Sequence, residues 1–225
     1  MHIIITGANR GIGLELTGQY LARGDTVHVG VREPGRAEQL RALAAGRDGR
    51  LFIDACDVTS DASVRAFVAA VSGSVDVLIN NAGVRSKADE LQALDLEAAN
   101  RTFQVNALGT LRVTRGLLPL LRHGKIANIS SNMGSIGENS SGGSYGYRMS
   151  KAALNMATRS LAQDLRPEGI VAVALSPGWV QTDMGGPEAP TLVAESAAGL
   201  IAVIDRLTMA DSGEFFDFRR RRIPW

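Results

Sequence analysis

The chain is short of cysteine, histidine and lysine. A single cysteine, Cys56, stands among 225 residues, so no disulfide can form within the chain, which suits a reducing compartment. Cys56 lies in the apolar run LFIDACDV and reads as a small core residue rather than a nucleophile. The three histidines, His2, His28 and His123, are scattered, and with one thiol they offer no metal-ligand cluster. An excess of charge of one sign is missing too: 24 basic residues face 23 acidic ones, for a formal net charge of +1. No global field draws such a chain toward nucleic acid or a membrane surface. Its one basic run, residues 219–222, reads as a solvated edge. Long hydrophobic runs are also absent. The start, MHIIITGANRG, has three isoleucines before Gly7, too few for a secretion signal or a membrane span, so a cytoplasmic location is expected. The length suits one α/β domain over residues 1–225, and a hydrophobic content of 45% allows a sizeable core.

What is present alternates. Apolar runs at 2–6 (HIIIT), 26–31 (TVHVGV), 50–58 (RLFIDACDV), 75–80 (VDVLIN), 125–130 (KIANIS) and 170–176 (IVAVALS) read as strands. Most are continuously apolar rather than alternating, as strands buried on both faces of a parallel sheet are. Between them, 11–24, 61–71 and 150–165 have helical patterns, and 95–121 is long enough for a long helix. This order predicts a doubly wound parallel sheet with helices on both faces. Segments 132–144 and 177–191 are rich in Gly, Ser and Pro and follow strands. In open α/β sheets ligands bind beyond the carboxyl ends of strands, so both are candidate walls of a site.

TGANRGIG (6–13) follows the first strand and opens the first helix, with glycines at Gly7, Gly11 and Gly13. A tight turn, a backbone that approaches closely and a helix N-terminus together make a pyrophosphate site. At the end of the second strand a carboxylate would hold the ribose hydroxyls of NAD. Here Val31 is followed by Arg32, which favours the 2′-phosphate of NADP(H), and Arg10 in the glycine loop is a possible second cation. Glu33 next door keeps NAD as the alternative.

Several motifs in order now resemble the short-chain dehydrogenase/reductase family: TGANRGIG (6–13), NNAG (80–83), Asn106, NISS (128–131), YRMSK (147–151) and PGWVQTDM (177–184). The match covers nearly the whole chain. YRMSKAALNM, PGWVQTDMGG and the ending IPW look most like the C-factor/sniffer group of carbonyl reductases. The resemblance implies a single Rossmann-fold domain and a catalytic set of Asn106, Ser131, Tyr147 and Lys151. It implies cofactor contacts from Gly7, Asn9, Arg10, Gly11, Ile12, Gly13, Arg32, Asp57, Val58, Asn81, Ala82 and Gly83, and from Tyr147 and Lys151. Pro177, Gly178, Val180 and Thr182 would pass along the nicotinamide, with no metal involved. It also implies a small-molecule carbonyl or alcohol substrate, and a homo-dimer or homo-tetramer paired through the helices near 95–121 and 147–165. The interval between Ser131 and Tyr147 is longer than in many members, which leaves Ser130 and Ser135 as alternatives to Ser131. Residues 132–145, 84–90 and 183–192 would build the pocket, and FFDFRRRRIPW would pack at a subunit edge or shape the pocket rim.

The chemistry explains the residue types. Carbonyl reduction needs a hydride from the cofactor and a proton for the developing alkoxide. A free tyrosine, with a pKa of about 10, exchanges protons poorly near neutrality, and a nearby ammonium lowers that pKa. Of 24 basic residues only three are lysines, and one, Lys151, follows a tyrosine by four positions. Residues four apart on a helix have Cβ atoms roughly 5–6 Å apart, so Tyr147 meets Lys151. Tyr145 is six away, expected ahead of the helix, and reads as a pocket wall. An arginine at 151 would keep the charge but present a planar fork in place of a compact ammonium. Spacing alone favours a solvated helix pair; the glycine loop, NISS and Asn106 turn the reading to catalysis. A nucleotide-binding signalling protein of C-factor type, with little or no turnover, is the alternative function. It would need the glycine loop but not the four catalytic residues.

Overall fold

The computed structural model describes residues 1–45, 49–86 and 90–225. Strands and helices alternate: β1 (His2–Thr6), α1 (Gly11–Ala22), β2 (Thr26–Val31), α2 (Glu38–Ala44), β3 (Leu51–Ala55), α3 (Asp61–Ala70), β4 (Val77–Asn80). Helices α4 (Leu96–Phe103) and α5 (Thr110–Leu117) come next, then β5 (Lys125–Ile129), α6 (Tyr145–Asp164), β6 (Val171–Ser176), α7 (Val193–Asp205) and β7 (Phe215–Asp217). The strands form one sheet in the order β3-β2-β1-β4-β5-β6-β7, and every neighbouring pair is parallel. The order reverses between β1 and β4, which puts the ligand crevice of a doubly wound sheet at their carboxyl ends.

The apolar strands are continuous because both faces are covered. Ile3 and Ile5 of β1 and Val27 and Val29 of β2 pack with α1, α2 and α7 in one core. Ile4, Leu78, Ile126 and Ala172 point the other way, into a second core with Val64 and Phe67 of α3, Val113 and Leu117 of α5 and Ala162 of α6. Cys56 belongs to this second core. Burial, and after it the charge of Asp57, pushes its thiol up to about 12, the value of a packing residue rather than a nucleophile.

Several boundaries differ from the sequence expectation. The third strand ends at Ala55, not at 58. The long helix over 95–121 is two α-helices joined by a π-helical segment, Gln104–Gly109. Helix α6 begins at Tyr145, so Tyr145 is its first residue rather than one ahead of it. Helix α2, helix α7 and strand β7 have no counterpart in the sequence reading. Alanines and a glycine blur the apolar stripe of α7, and β7 has three residues, too few for a period to show.

The ending FFDFRRRRIPW folds along the edge of the sheet. Its first three residues are the edge strand β7, and the chain then turns back so that the N–H of Ile223 donates to the Phe215 carbonyl at 2.8 Å. Asp217 makes the turn: its Oδ1 accepts from the N–H groups of Arg219 and Arg221. The four arginines pair with Glu195, Asp211, Asp217 and Glu214 in turn, so the basic run is a set of intramolecular ion pairs on an exposed edge. Among the described residues no helix is long and apolar enough to cross a membrane, and no His, Cys, Asp and Glu cluster could hold a metal ion.

Candidate active site

The carboxyl ends of strands β1 to β6 build the site. After β1, Gly7 (φ 67°) and Gly11 (φ 54°) take left-handed conformations that side chains disfavour. A Cβ on Gly7 would lie 2.7 Å from Ala82 Cα, and one on Gly13 would lie 2.6 Å from the Gly7 carbonyl oxygen. The loop is therefore compressed against β4 and α1 by the absence of side chains. Thr6 Oγ1 accepts from the N–H groups of Asn81 and Ala82, and Asn81 Nδ2 donates to the carbonyls of Thr6 and Gly7, both at 2.9 Å. Asn9 and Arg10 are exposed, and Ile12 lines the cleft below. A helix N-terminus reached through such a backbone cradle fits a dinucleotide pyrophosphate.

Arg32 lies exposed beyond β2, and its charge reaches Asp57 at the end of β3. Burial opposes ionisation of Asp57, yet hydrogen bonds from Thr59 and the charges of Arg32 and Arg112 hold its carboxyl below the ordinary value. Val58 is buried against Gly109. Arg10 Nη1 lies 2.7 Å from Asp183 Oδ2, so an exposed ion pair links the glycine loop to the loop after β6.

Beyond β5 the three candidate serines separate. Ser130 Oγ donates to Asn155 Oδ1 at 2.6 Å inside the core, and Ser135 Oγ donates to the Pro224 carbonyl at 2.5 Å. Ser131 is the serine that hydrogen-bonds Tyr147. Gly134 makes this approach possible, since a Cβ there would lie 2.8 Å from Lys151 Cβ. Tyr147 and Lys151 are both buried on α6, and Lys151 Nζ lies 5.7 Å from the Tyr147 ring centroid. Burial pulls the Lys151 ammonium down to about 8; its Nζ donates to the Ile129 carbonyl at 2.8 Å.

Tyr147 differs from the simple expectation of a depressed phenol. Burial raises its pKa, and the Ser131 hydrogen bond and a positive charge work against that rise. That charge belongs to Arg85, which the sequence reading did not single out. Arg85 Cζ lies 5.6 Å from the Tyr147 ring centroid, and its Nη2 donates to Ser144 Oγ at 3.0 Å. Its signal in the sequence is its place two residues after NNAG, the segment that leads from β4 into the cleft.

Asn106 sits in the π segment, where the irregular turn aims its side chain off the helix. Its Oδ1 accepts from the Val84 N–H at 2.8 Å, and its Nδ2 donates to the Val84 carbonyl and to Ser150 Oγ, both at 2.9 Å. Gly83 lies between Asn106 and Lys151: a Cβ there would be 3.4 Å from Asn106 Oδ1 and 3.6 Å from Lys151 Nζ.

After β6, Pro177, Gly178, Val180 and Thr182 line a cleft of about 400 Å³, shared with Ile12, Arg85, Ser131 and Tyr147. A Cβ on Gly11 would lie 3.4 Å from Thr182 Cγ2, so this loop reaches the glycine loop. Trp179 and Met184 form the exposed apolar rim of the cleft. Of the expected pocket wall at 84–90, residues 87–89 lie outside the described residues.

The family model for short chain dehydrogenase matches residues 1–192, and the chain belongs to this family of oxidoreductases. It is 54% identical over 166 residues to the C-signal of Myxococcus xanthus, covering 72% of this chain and 100% of that one. The fold superposes on the carbonyl reductase Sniffer of D. melanogaster with a TM-score of 0.96 at 33% identity, over 100% of this chain and 99% of that one. A carbonyl reductase from chicken fatty liver with NADPH bound matches at a TM-score of 0.94 and 35% identity, over 100% and 98% of the two chains.

Proposed function

We propose that the protein is an NADP(H)-dependent carbonyl reductase that interconverts a carbonyl compound and its alcohol. The observation that carries this reading is the Tyr147–Ser131 hydrogen bond beside Lys151, in a cleft bordered by the glycine loop. The NADPH-bound relative supports the cofactor, and Arg32 beyond β2 is the residue of this chain suited to a 2′-phosphate. The glycine loop holds the pyrophosphate, Asp57 and Val58 border the adenine side, and Pro177–Thr182 flank the nicotinamide ring.

Bound there, the nicotinamide supplies the hydride. Ser131 Oγ orients the substrate oxygen, and Tyr147 Oη delivers the proton to it. Lys151 holds the cofactor ribose and, as a cation one turn from Tyr147, favours the phenolate that forms when the proton leaves. Asn106 holds the Val84 backbone, and the space left by Gly83 gives a proton path from Lys151 past Asn106. The protein works as a homo-dimer or homo-tetramer in the cytoplasm.

A signalling role without turnover is the second reading, favoured by the identity to the C-signal. Loss of NADPH absorbance with a panel of aldehydes and ketones separates the two. Tyr147→Phe is expected to lower turnover by about 10²–10⁴, whereas Tyr145→Phe changes it little. Tight NADPH binding with no turnover across the panel favours the signalling role, and equal losses in the two variants would overturn the assignment of Tyr147.

A further inference from the structure

Among the described residues, one charged side chain lines the cleft. Around the Tyr147 phenol the lining side chains are serines, Asn132, Met133, Trp179, Thr182 and Met184, all neutral, and Arg85 alone carries a charge. Arg85 is held there on two sides. Asn106 clasps both backbone groups of Val84, fixing the chain one residue before it, and Ser144 accepts from its guanidinium. Ser144 has φ 50°, a left-handed conformation at the residue that caps α6. The guanidinium consequently lies against the Tyr147 ring, its Cζ 5.6 Å from the ring centroid.

Its partners differ from those of several other arginines of the chain. Arg10 is paired with Asp183, and the four arginines at 219–222 are all paired with carboxylates. Arg85 has no carboxylate partner among the described residues; its contacts are a neutral hydroxyl and an aromatic face. The rest of the described wall is neutral, and Trp179 and Met184 are exposed at its rim. A guanidinium offers a planar fork of donors that matches a carboxylate at two points.

We infer that Arg85 is the specificity-determining residue for an anionic substrate: a carbonyl compound whose apolar body lies against Met133, Trp179 and Met184 and whose carboxylate pairs with Arg85. This rests on the carbonyl-reductase reading above. The carboxylate takes no part in the reaction, and the alcohol product keeps it.

A matched pair of probes tests this: 4-carboxybenzaldehyde and its neutral methyl ester, methyl 4-formylbenzoate. In the parent protein kcat/KM for the acid should exceed that for the ester by roughly tenfold, the worth of one charge-assisted contact. In Arg85→Ala the acid-to-ester ratio should fall to about one, and Arg85→Lys should retain part of it. Taking the ratio cancels any effect of Arg85 on Tyr147, because both probes share the same proton transfer. A parent ratio near one, or a high ratio that survives in Arg85→Ala, overturns the inference. If neither aldehyde consumes NADPH, the reductase reading fails, and calorimetric binding of the two probes to the NADP⁺-loaded protein decides the matter separately. Tighter binding of the acid, lost in Arg85→Ala, supports the anion site; equal binding of the two probes overturns it.

Discussion

The loop after β1 and the segment after β5 both face the cleft, yet they are held in different ways. Residues 6–13 take their shape mainly from glycine backbone: two left-handed glycines and a third with no room for a side chain, pinned by bonds of the Thr6 and Asn81 side chains at the neighbouring strand end. Residues 131–144 take theirs from distant side chains and chain ends. Ser176 donates to Asn132, Ser135 to the Pro224 carbonyl, and the Gly137 N–H to the Trp225 carbonyl. Trp225 is in turn stacked on Phe215 of β7, with ring centroids 5.5 Å apart. At the other end Arg148 donates to the carbonyls of Gly142 and Gly143, and Arg85 to Ser144. A backbone cradle suits a ligand whose phosphates are always the same. Walls held by separable side-chain contacts can be altered one contact at a time, which suits substrate selection.

The largest expected effect is on the backbone-built side. Gly13→Val pushes a side chain into the Gly7 carbonyl and Ala8, both backbone. It should lower stability by about 1–3 kcal/mol. By moving the loop off the pyrophosphate it should weaken NADPH binding by about a hundredfold or more, since each charge-assisted bond is worth roughly tenfold. Fluorescence titration beside a thermal melt reads both; unchanged NADPH affinity would mean that the cradle is not the cofactor site. Arg32→Ala comes next. It should weaken NADPH by roughly tenfold while leaving NADH nearly unchanged, and an equal loss for both cofactors would remove Arg32 from the 2′-phosphate. Ser135→Ala is the smallest. Losing one neutral bond, worth about 0.5–1.5 kcal/mol, should raise substrate KM by a few-fold with the NADPH Kd unmoved. A matching change in cofactor affinity would show that the two regions are not independent.

The two regions also differed in how far they could be read in advance. The glycine loop, the strand before it and the helix after it are contiguous in the chain, so their chemistry shows in eight residues, 6–13. Tyr147 and Lys151 are legible for the same reason, four apart on one helix. The choice among Ser130, Ser131 and Ser135 was not, because it depends on Asn155, Pro224 and Tyr147, each brought in by the fold. Arg85 was missed likewise, since its place over Tyr147 is made by Asn106 and Ser144 from other elements. The ion pair of Arg10 with Asp183 was not legible either, because the fold brings the loop after β6 to it.

By itself, then, the sequence determined the alternation of buried strands and helices, the doubly wound class and the tyrosine–lysine pair, because local periodicity and short spacing carry those properties. Tertiary structure alone decided which serine meets the tyrosine, which arginine lies against it and how the C-terminal strand braces the substrate-side segment. Those outcomes depend on contacts between residues far apart in the chain, and only closure of the sheet and its two helical layers brings such residues within hydrogen-bonding distance.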